Sequence, residues 1–506
     1  SRAFGHRPGW PRMAPVRTFW KCKVSLEFGD RPMLIGGDMV TADSGEWMDS
    51  VNPATEEVHG RVPAATVTDV DKAVGAAAAA QLAWAERSVF ERGALLRELA
   101  GAIRARADKV LPLEAADTGN TIASLGNDIV LAAGYIEMMA GLGIELKGET
   151  VPATAGNIHF TMRQPFGVVG RIVPFNHPFL FAAAHLAAPL VAGNAVVLKS
   201  PDQSPLSGSL MGEICREVLP PGLVNIVSGK GIVTGDAIVR HPRVRRIGFT
   251  GSVATGMAIQ RAAAETGIKH LSLELGGKNP LIAFPDADPQ TVATAAVAGM
   301  NFAWSGQSCG STSRLMLHES LYDEVLQLVV EQVGAIRLGD PRDSASEMGP
   351  VNSAGHYQHV MSMIGTAAED GARILCGGER PAGDGFARGY WVEPAVIGDV
   401  TMNMRLGREE VFGPVLSVLR WSDRDEVLAM ANATEFGLTA GVYTNEINTA
   451  MGMARDLESG LVWINGGGRH FLGTGFSGWK NSGLGREECL EELLSYTQSK
   501  AVHIMM

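Results

Sequence analysis

Cysteine is sparse in this 506-residue chain. Cys22, Cys215, Cys309, Cys376 and Cys489 are odd in number, widely scattered and never in a C-x-x-C arrangement, so neither a disulfide framework nor a zinc ribbon is indicated and no metal site is expected. A reducing, cytoplasmic compartment fits this usage. Positive charge is in deficit: 43 Lys and Arg stand against 54 Asp and Glu, a net charge of −11, with no long basic run. Neither nucleic acid nor an anionic membrane is therefore expected as the main partner. Clean hydrophobic runs are missing too. The longest apolar stretch, residues 179–198, contains His185, Pro189, Gly193 and Asn194, groups that a spanning helix would have to satisfy in lipid. It reads as a buried helix followed by the strand Ala195–Lys199. Residues 1–32 hold Arg, Lys, Trp and Pro around no apolar centre. They match neither a secretory signal nor a transit peptide, and are expected to be a disordered lead.

What is present is the composition of a globular protein, 46% hydrophobic and 19% charged, in a chain too long for one core; two or three domains are expected. Residues 33–40 and 46–51 read as short strands. Residues 70–107 form an Ala-rich helical stretch, with further helices at 110–117 and 129–142 and β-like sequence near 158–163. From Gly167 onward, apolar strands at 168–173, 195–199, 224–226 and 246–249 alternate with helical segments after Pro178, at 206–218 and from Ser252. That alternation implies a parallel sheet with crossover helices, the nucleotide-binding type of architecture. A second alternating region runs from Leu281 to Ile464. Residues 496–504 alternate as a late strand would, and no repeat of 20–50 residues stands out.

Several short motifs carry chemistry. Cys309 lies in Ser-Gly-Gln-Ser-Cys-Gly, and upstream Glu274 lies in Leu-Glu-Leu-Gly-Gly-Lys. A thiol with a glycine-flanked carboxylate points to covalent catalysis, in which a thiolate attacks and a base later activates water. Phe249-Thr250-Gly251-Ser252 closes a strand and opens a helix whose N–H groups can hold a pyrophosphate, or is an ordinary Ser-capped helix. Gly229-Lys-Gly231 with Gly235 is a near miss to G-x-G-x-x-G. Lys199-Ser-Pro-Asp202 ends a strand with a carboxylate able to accept from ribose hydroxyls, or is a solvated turn. Asn176, in Val173-Pro174-Phe175-Asn176-His177-Pro178, can donate to an oxyanion or satisfy its own turn. His177 reads as structural, with no orienting carboxylate in view. Glu410 and Phe412 sit in a charged turn that can hold a ribose and stack on a ring.

Pro174-Phe-Asn176, Lys199-Ser-Pro-Asp202, Phe249-Thr-Gly-Ser252, Glu274-Leu-Gly-Gly-Lys278, Gly306-Gln-Ser-Cys309, Glu410-Val-Phe-Gly-Pro414 and Lys480-Asn-Ser-Gly-Leu-Gly-Arg486 occur in one order. Together they resemble the NAD(P)-dependent aldehyde dehydrogenase superfamily, from about Met33 to the C-terminal strand. The resemblance implies an α/β fold: a Rossmann-type parallel-sheet cofactor domain (33–143 and 167–276), an α/β catalytic domain (277–480), and a small β oligomerisation arm with C-terminal tail (144–166 and 481–506). It implies a homodimer or homotetramer.

By the same resemblance Cys309 is the nucleophile, Asn176 and the Cys309 N–H form the oxyanion hole, Glu274 is the base that releases the acid, and Lys199 joins the catalytic set. The cofactor set is Val173, Pro174, Phe175, Lys199, Asp202, Gly231, Gly235, Phe249, Thr250, Gly251, Ser252, Leu275, Glu410 and Phe412. NAD is the implied cofactor. The family commonly has Glu where this chain has Asp202, and the shorter side chain keeps NADP open. The approach to Cys309 departs most from the family: His177, Phe181, Ala184, Ala303, Ser308, Arg469, His470 and Phe476. The small Ala184 and Ala303 imply a wide funnel, for a bulky, aromatic or polar, even anionic, aldehyde. A CoA-acylating semialdehyde dehydrogenase is the nearest alternative, opposed by Glu274. A catalytically silent binding protein and a Cys hydrolase fit the motifs less well.

Overall fold

The computed structural model describes residues 28–506. The described residues build two large sheets and three small ones. In the first large sheet, five parallel strands run side by side in the spatial order His270–Glu274, Val244–Thr250, Val168–Ile172, Ala195–Lys199 and Val224–Val227. Val168–Ile172 is the first of these in sequence and lies at their centre, so the chain order reverses there. Ligands of open α/β sheets bind at such a switch point, beyond the carboxyl ends of the strands. Val173 to Asn176, the Lys199–Asp202 turn and Thr250–Ser252 all leave strands at that end.

Antiparallel strands blunt both edges of this sheet. Met33–Ile35 pairs with Val224–Val227 and then with Asp38–Val40. On the other side Gly483–Leu484 pairs with Leu273 and Glu274. Residues 483–495 thus differ from the expected arm: the helix Leu490–Ser495 buries Leu493 in the core of the first sheet. Only Thr497–Ile504 continues into the arm, pairing antiparallel with Ile158–Pro165 from Thr497↔Pro165 to Ile504↔Ile158. Burial explains the split, since Leu493 and Tyr496 are fully buried whereas the strand beyond them is mostly exposed.

The second large sheet has the order Arg373–Cys376, Ala395–Gly398, Val415–Trp421, Arg314–His318, Pro280–Ala283, Thr439–Tyr443 and Leu461–Ile464, parallel except at the Arg373–Cys376 edge. Its strands are covered on both faces. Leu281, Ala283, Leu315 and Leu317 enter one core while Ile282 and Met316 enter the other, as the two-residue side-chain period of a strand requires.

Three local readings of the sequence change. The stretch 70–107 is two helices, Val67–Glu86 and Val89–Ala105. Ser88 accepts from Glu91 N and Glu91 accepts from Ser88 N, a capping box that starts a new helix where composition showed none. The apolar run 179–198 holds two short buried helices, Pro178–Ala184 and Ala187–Val191, before the strand Ala195–Lys199. The lead expected over 1–32 falls mainly outside the described residues, but Gly29–Asp30 is a strand paired with Gly60–Arg61. Among the described residues no helix is long and apolar enough to cross a membrane.

Candidate active site

The Cys309 loop is wound tightly. After the helix Pro289–Gly299 the chain passes through Asn301 (φ 56°), the 3-10 turn Phe302–Trp304 and Ser305 (φ 53°). Two non-glycine residues in the left-handed region within five positions mark stored backbone strain. Gly306 follows at φ 68°, where an added Cβ would lie 2.2 Å from the Gly413 carbonyl; only glycine fits. Side-chain hydrogen bonds from within the loop and from outside it hold it in place. Ser305 Oγ donates to the Gly349 carbonyl at 2.8 Å. Asn279 Nδ2 donates to the carbonyls of Cys309 and Ser311 at 2.7 and 2.9 Å. Asn176 Nδ2 donates to the Gln307 carbonyl at 2.9 Å, and Asn120 Nδ2 donates to the Asn176 carbonyl at 2.7 Å.

Glu274 ends the strand His270–Glu274, and the following turn is clamped by Ser482. Leu275 N donates to the Ser482 carbonyl at 2.8 Å and Ser482 Oγ donates to the Gly276 carbonyl at 2.7 Å. The two glycines then allow close approach. A Cβ on Gly277 would stand 2.9 Å from the Cys309 carbonyl, and one on Gly276 would stand 2.2 Å from Glu410 Oε2. Glu274, Cys309 and Glu410 thus converge on one turn. Glu274 is 3% exposed and neither carboxylate oxygen has a hydrogen-bond partner. Burial, with Glu487, Glu488 and Glu492 nearby, raises its pKa well above the carboxylate range against the opposing charge of Arg171. The same burial, with Glu274 and Glu410, pushes the Cys309 thiol up to about 12. Burial thus biases both the Glu274 carboxyl and the Cys309 thiol towards their protonated forms.

Of the residues expected to hold the cofactor, Gly231 and Gly235 line a cavity of about 430 Å³ whose walls also include Ile172, Ile232, Val239, Ala258 and Ile259. Its apolar walls suit a planar base. At its mouth the Asp202 carboxylate accepts from Gly231 N at 3.0 Å and pairs with Lys199, whose ammonium also donates to the Ser200 carbonyl at 2.8 Å. Ser252 caps the helix Val253–Thr266 through Thr255 N, and Thr250 Oγ1 is buried without a partner. Gly251 N donates to the Glu274 carbonyl at 3.0 Å, and Leu275 packs against Gly256. Gly235 borders the cavity. Glu410 Oε1 accepts from Gly277 N at 2.8 Å, and burial raises its carboxyl to about 7. Phe412 (φ 53°) sets its ring against Phe175 at 5.8 Å. Val173 N donates to the Lys199 carbonyl at 3.3 Å, Pro174 is half-buried, and the Phe175 carbonyl accepts from Ser204 Oγ at 3.1 Å.

The expected substrate residues do not behave alike. Phe181 and Ala303 are half-buried and Ala184 is buried. Ser308 is half-buried, its carbonyl accepting from Ser311 N at 3.1 Å. Arg469 is exposed and gives its carbonyl to Trp463 Nε1 at 3.0 Å. His470 pairs with Glu488 at 2.8 Å and lies on the buried Phe476 ring at 4.9 Å. One reading is overturned. His177 does have an orienting carboxylate: its Nδ1 lies 2.8 Å from Asp128 Oδ2. Asp128 comes from the helix Ile122–Leu142, and sequence distance hid it.

Sequence reasoning also missed Asn279 and Gln307, which brace the Cys309 loop. It missed His356, which donates Nε2–H to the Phe412 carbonyl at 2.6 Å and is held neutral by burial, its pKa near 4. And it missed Lys278, buried with no partner for its amine, where burial and Arg314 lower its pKa to about 7. Gln307 and Lys278 lie inside the Cys309 and Glu274 motifs, which assign them no role; no local pattern marks Asn279 or His356.

The family model described as "Aldehyde dehydrogenase family" matches residues 39–502. Aldehyde dehydrogenase tropH of Talaromyces stipitatus is 44% identical over 463 residues, 90% of each chain. A structure of a putative aldehyde dehydrogenase from Burkholderia cenocepacia superposes with TM-score 0.92 at 39% identity, covering 94% of this chain and 97% of that one. An NAD+ complex of aldehyde dehydrogenase from Bacillus cereus gives TM-score 0.92 at 36% identity, covering 95% and 98%.

Proposed function

The chain belongs to the aldehyde dehydrogenase family and is an NAD(P)-dependent aldehyde dehydrogenase; from that premise we propose that it oxidises a bulky, aromatic or polar aldehyde to the free carboxylic acid through a thioester on Cys309. The observation that carries this is the shared turn: Gly277 brings the Glu274 strand end against the Cys309 carbonyl, while Asn176 reaches the same loop from the switch-point strand.

In this reading Cys309 Sγ, deprotonated, bonds to the aldehyde carbon and the carbonyl oxygen becomes an oxyanion. The second Asn176 amide hydrogen and the Cys309 N–H receive it, each such donor being worth about 10²–10³ in rate. NAD+, when bound, would supply the hydride acceptor that lets the thiohemiacetal on Cys309 pass to a thioester. Lys199 and Asp202 would hold its adenosine ribose, the Ser252 helix start its pyrophosphate, and Glu410 its nicotinamide ribose. Glu274 then takes a proton from water, the hydroxyl bonds to the acyl carbon, and the acid leaves as Cys309 recovers its proton. Aldehyde, NAD+ and water thus become acid, NADH and a proton. The base must ionise to work, so the buried Glu274 is poised as a conditional base.

The test is reduced-nicotinamide absorbance on a panel of aldehydes, with and without coenzyme A. NADH formation and free acid without coenzyme A support the reading. Strict dependence on coenzyme A, or no turnover of any aldehyde, overturns it. Glu274→Gln is expected to keep a first-turnover burst of NADH and lose steady-state turnover; loss of the burst as well would remove Glu274 from a purely deacylating role.

A further inference from the structure

The His177–Asp128 pair goes unused in this chemistry. His177 directly follows Asn176, the oxyanion donor. Its ring lies 5.3 Å from the Trp304 ring, which immediately precedes the Cys309 loop, and 6.0 Å from the Phe181 ring on the helix it opens. It therefore lies between the helix Pro178–Ala184 and the turn Phe302–Trp304 that leads into the Cys309 loop. Its Nδ1 lies 2.8 Å from a carboxylate oxygen of Asp128, and Asp128 is 7% exposed. The other ring nitrogen, Nε2, has no hydrogen-bond partner among the described residues, is not among the sealed polar atoms, and belongs to a side chain that keeps 13% of its surface.

A carboxylate accepts only. It therefore fixes the neutral imidazole in the tautomer with the proton on Nδ1, which makes Nε2 an acceptor. An acceptor at an aromatic-walled opening recognises a donor on a flat substrate. A carboxylated ring, or an ether, offers no such hydrogen.

We propose that His177, held by Asp128, reads a ring hydroxyl, and that the substrate class is the hydroxylated aromatic aldehydes. This rests on the aldehyde-oxidising reading above. His177 is the specificity-determining residue and Asp128 its positioning residue. The hydroxyl donates its hydrogen to Nε2, the Trp304 and Phe181 rings border the aromatic ring, and the aldehyde group is presented to Cys309 beside Asn176. The Nδ1–Asp128 bond holds the imidazole at one angle, so one ring position is favoured over the others.

The experiment compares kcat/KM for ortho-, meta- and para-hydroxybenzaldehyde with that for the matching fluorobenzaldehydes and benzaldehyde, in the wild type with NAD+. A donor hydrogen is the difference that matters, and one satisfied hydrogen bond in a part-buried site is worth roughly tenfold. At least one hydroxylated isomer is expected to exceed both its fluoro counterpart and benzaldehyde by that factor. In His177→Phe that ratio is expected to collapse towards one. In Asp128→Leu it falls as well, whereas Asp128→Asn, whose amide oxygen still accepts from Nδ1–H, retains most of it. A merely structural role would lower turnover of every aldehyde together and leave the ratios alone. Equal ratios in wild type at every ring position overturn the inference without any variant, and so does a ratio that survives His177→Phe. Benzaldehyde oxidation with no hydroxyl preference sinks this inference alone; absence of turnover on every aldehyde sinks the reading it rests on.

Discussion

The side-chain amide of Asn176 lies 2.9 Å from the carbonyl oxygen of Gln307, two residues before Cys309. The amide has two hydrogens. One ties the switch-point strand to the Cys309 loop; in the proposed mechanism the other would meet the oxyanion, so a single residue would both place the loop and stabilise the reacting centre. Asn176→Ala should therefore cost more than one donor. Steady-state assays are expected to show a kcat/KM loss of at least about 10²–10³, the scale of one oxyanion donor. Asn176→Asp replaces the donor by an acceptor against a carbonyl and should be no better. A loss below tenfold in Asn176→Ala would remove it from the oxyanion site.

The resting thiol of Cys309 is held protonated by burial and by neighbouring carboxyls, with its pKa near 12. Only thiolate reacts with alkylating reagents. Without cofactor, iodoacetamide labelling of Cys309 is expected to be slow near neutrality and to keep rising with pH beyond 9, the point at which an ordinary thiol levels off. Mass spectrometry separates it from Cys22, Cys215, Cys376 and Cys489. A plateau at or below pH 8 contradicts the burial argument.

The Cys309 loop, the Glu274 turn and the alternation of strands and helices were legible in the sequence because each rests on local pattern: a period of two, a glycine pair, a small-residue loop. The break at Ser88 was not, because a capping box decides it where the Ala-rich composition runs through. Asp128 and Asn279 were not, because their partners His177 and Cys309 lie far along the chain and meet only after packing. The path of residues 483–495 was hidden for a related reason. Gly483–Leu484 has no strand-like composition, and pairs because the edge beside Glu274 needs covering.

Glu410 offers a test through stability. Its carboxyl is raised by burial from the ordinary range to about 7. A raised carboxyl holds its proton in the native state where the unfolded chain has released it. The stabilising effect is complete below the unfolded pKa and is lost as pH climbs towards 7, by up to about 1.4 kcal/mol per pH unit for one group. Glu410→Gln stays neutral and can still accept from Gly277 N. Urea midpoints at pH 5 and pH 8 should therefore differ less in Glu410→Gln than in wild type. Glu274 and Glu492, raised too, push the residual difference the same way, whereas His356 and Lys278, whose pKa values burial lowers, push it the other way, so the test is the change between the two proteins and not the residual difference itself. An unchanged difference would show that Glu410 ionises as an exposed carboxylate does.

Under the proposed function, cofactor choice is expected to turn on Asp202. Its carboxylate accepts from Gly231 N, which lines the apolar cavity, and pairs with Lys199; in that reading its negative charge would stand where a ribose 2′-substituent arrives. A 2′-phosphate would meet that charge at short range, with only Lys199 to offset it; a 2′-hydroxyl would donate to it. Asp202→Ser removes the charge, keeps a hydroxyl able to accept from Gly231 N, and frees the Lys199 ammonium to meet a phosphate. The ratio of kcat/KM with NADP+ to that with NAD+ is expected to rise at least tenfold, because the gain of one charge-assisted contact and the loss of one charge-assisted contact act in the same direction. Raising the salt concentration should narrow the gap between the two cofactors in wild type, since screening weakens the repulsion at this half-exposed carboxylate. A ratio that ignores both the substitution and the salt would place discrimination elsewhere, and Lys230, beside Gly231, would be the next residue to change.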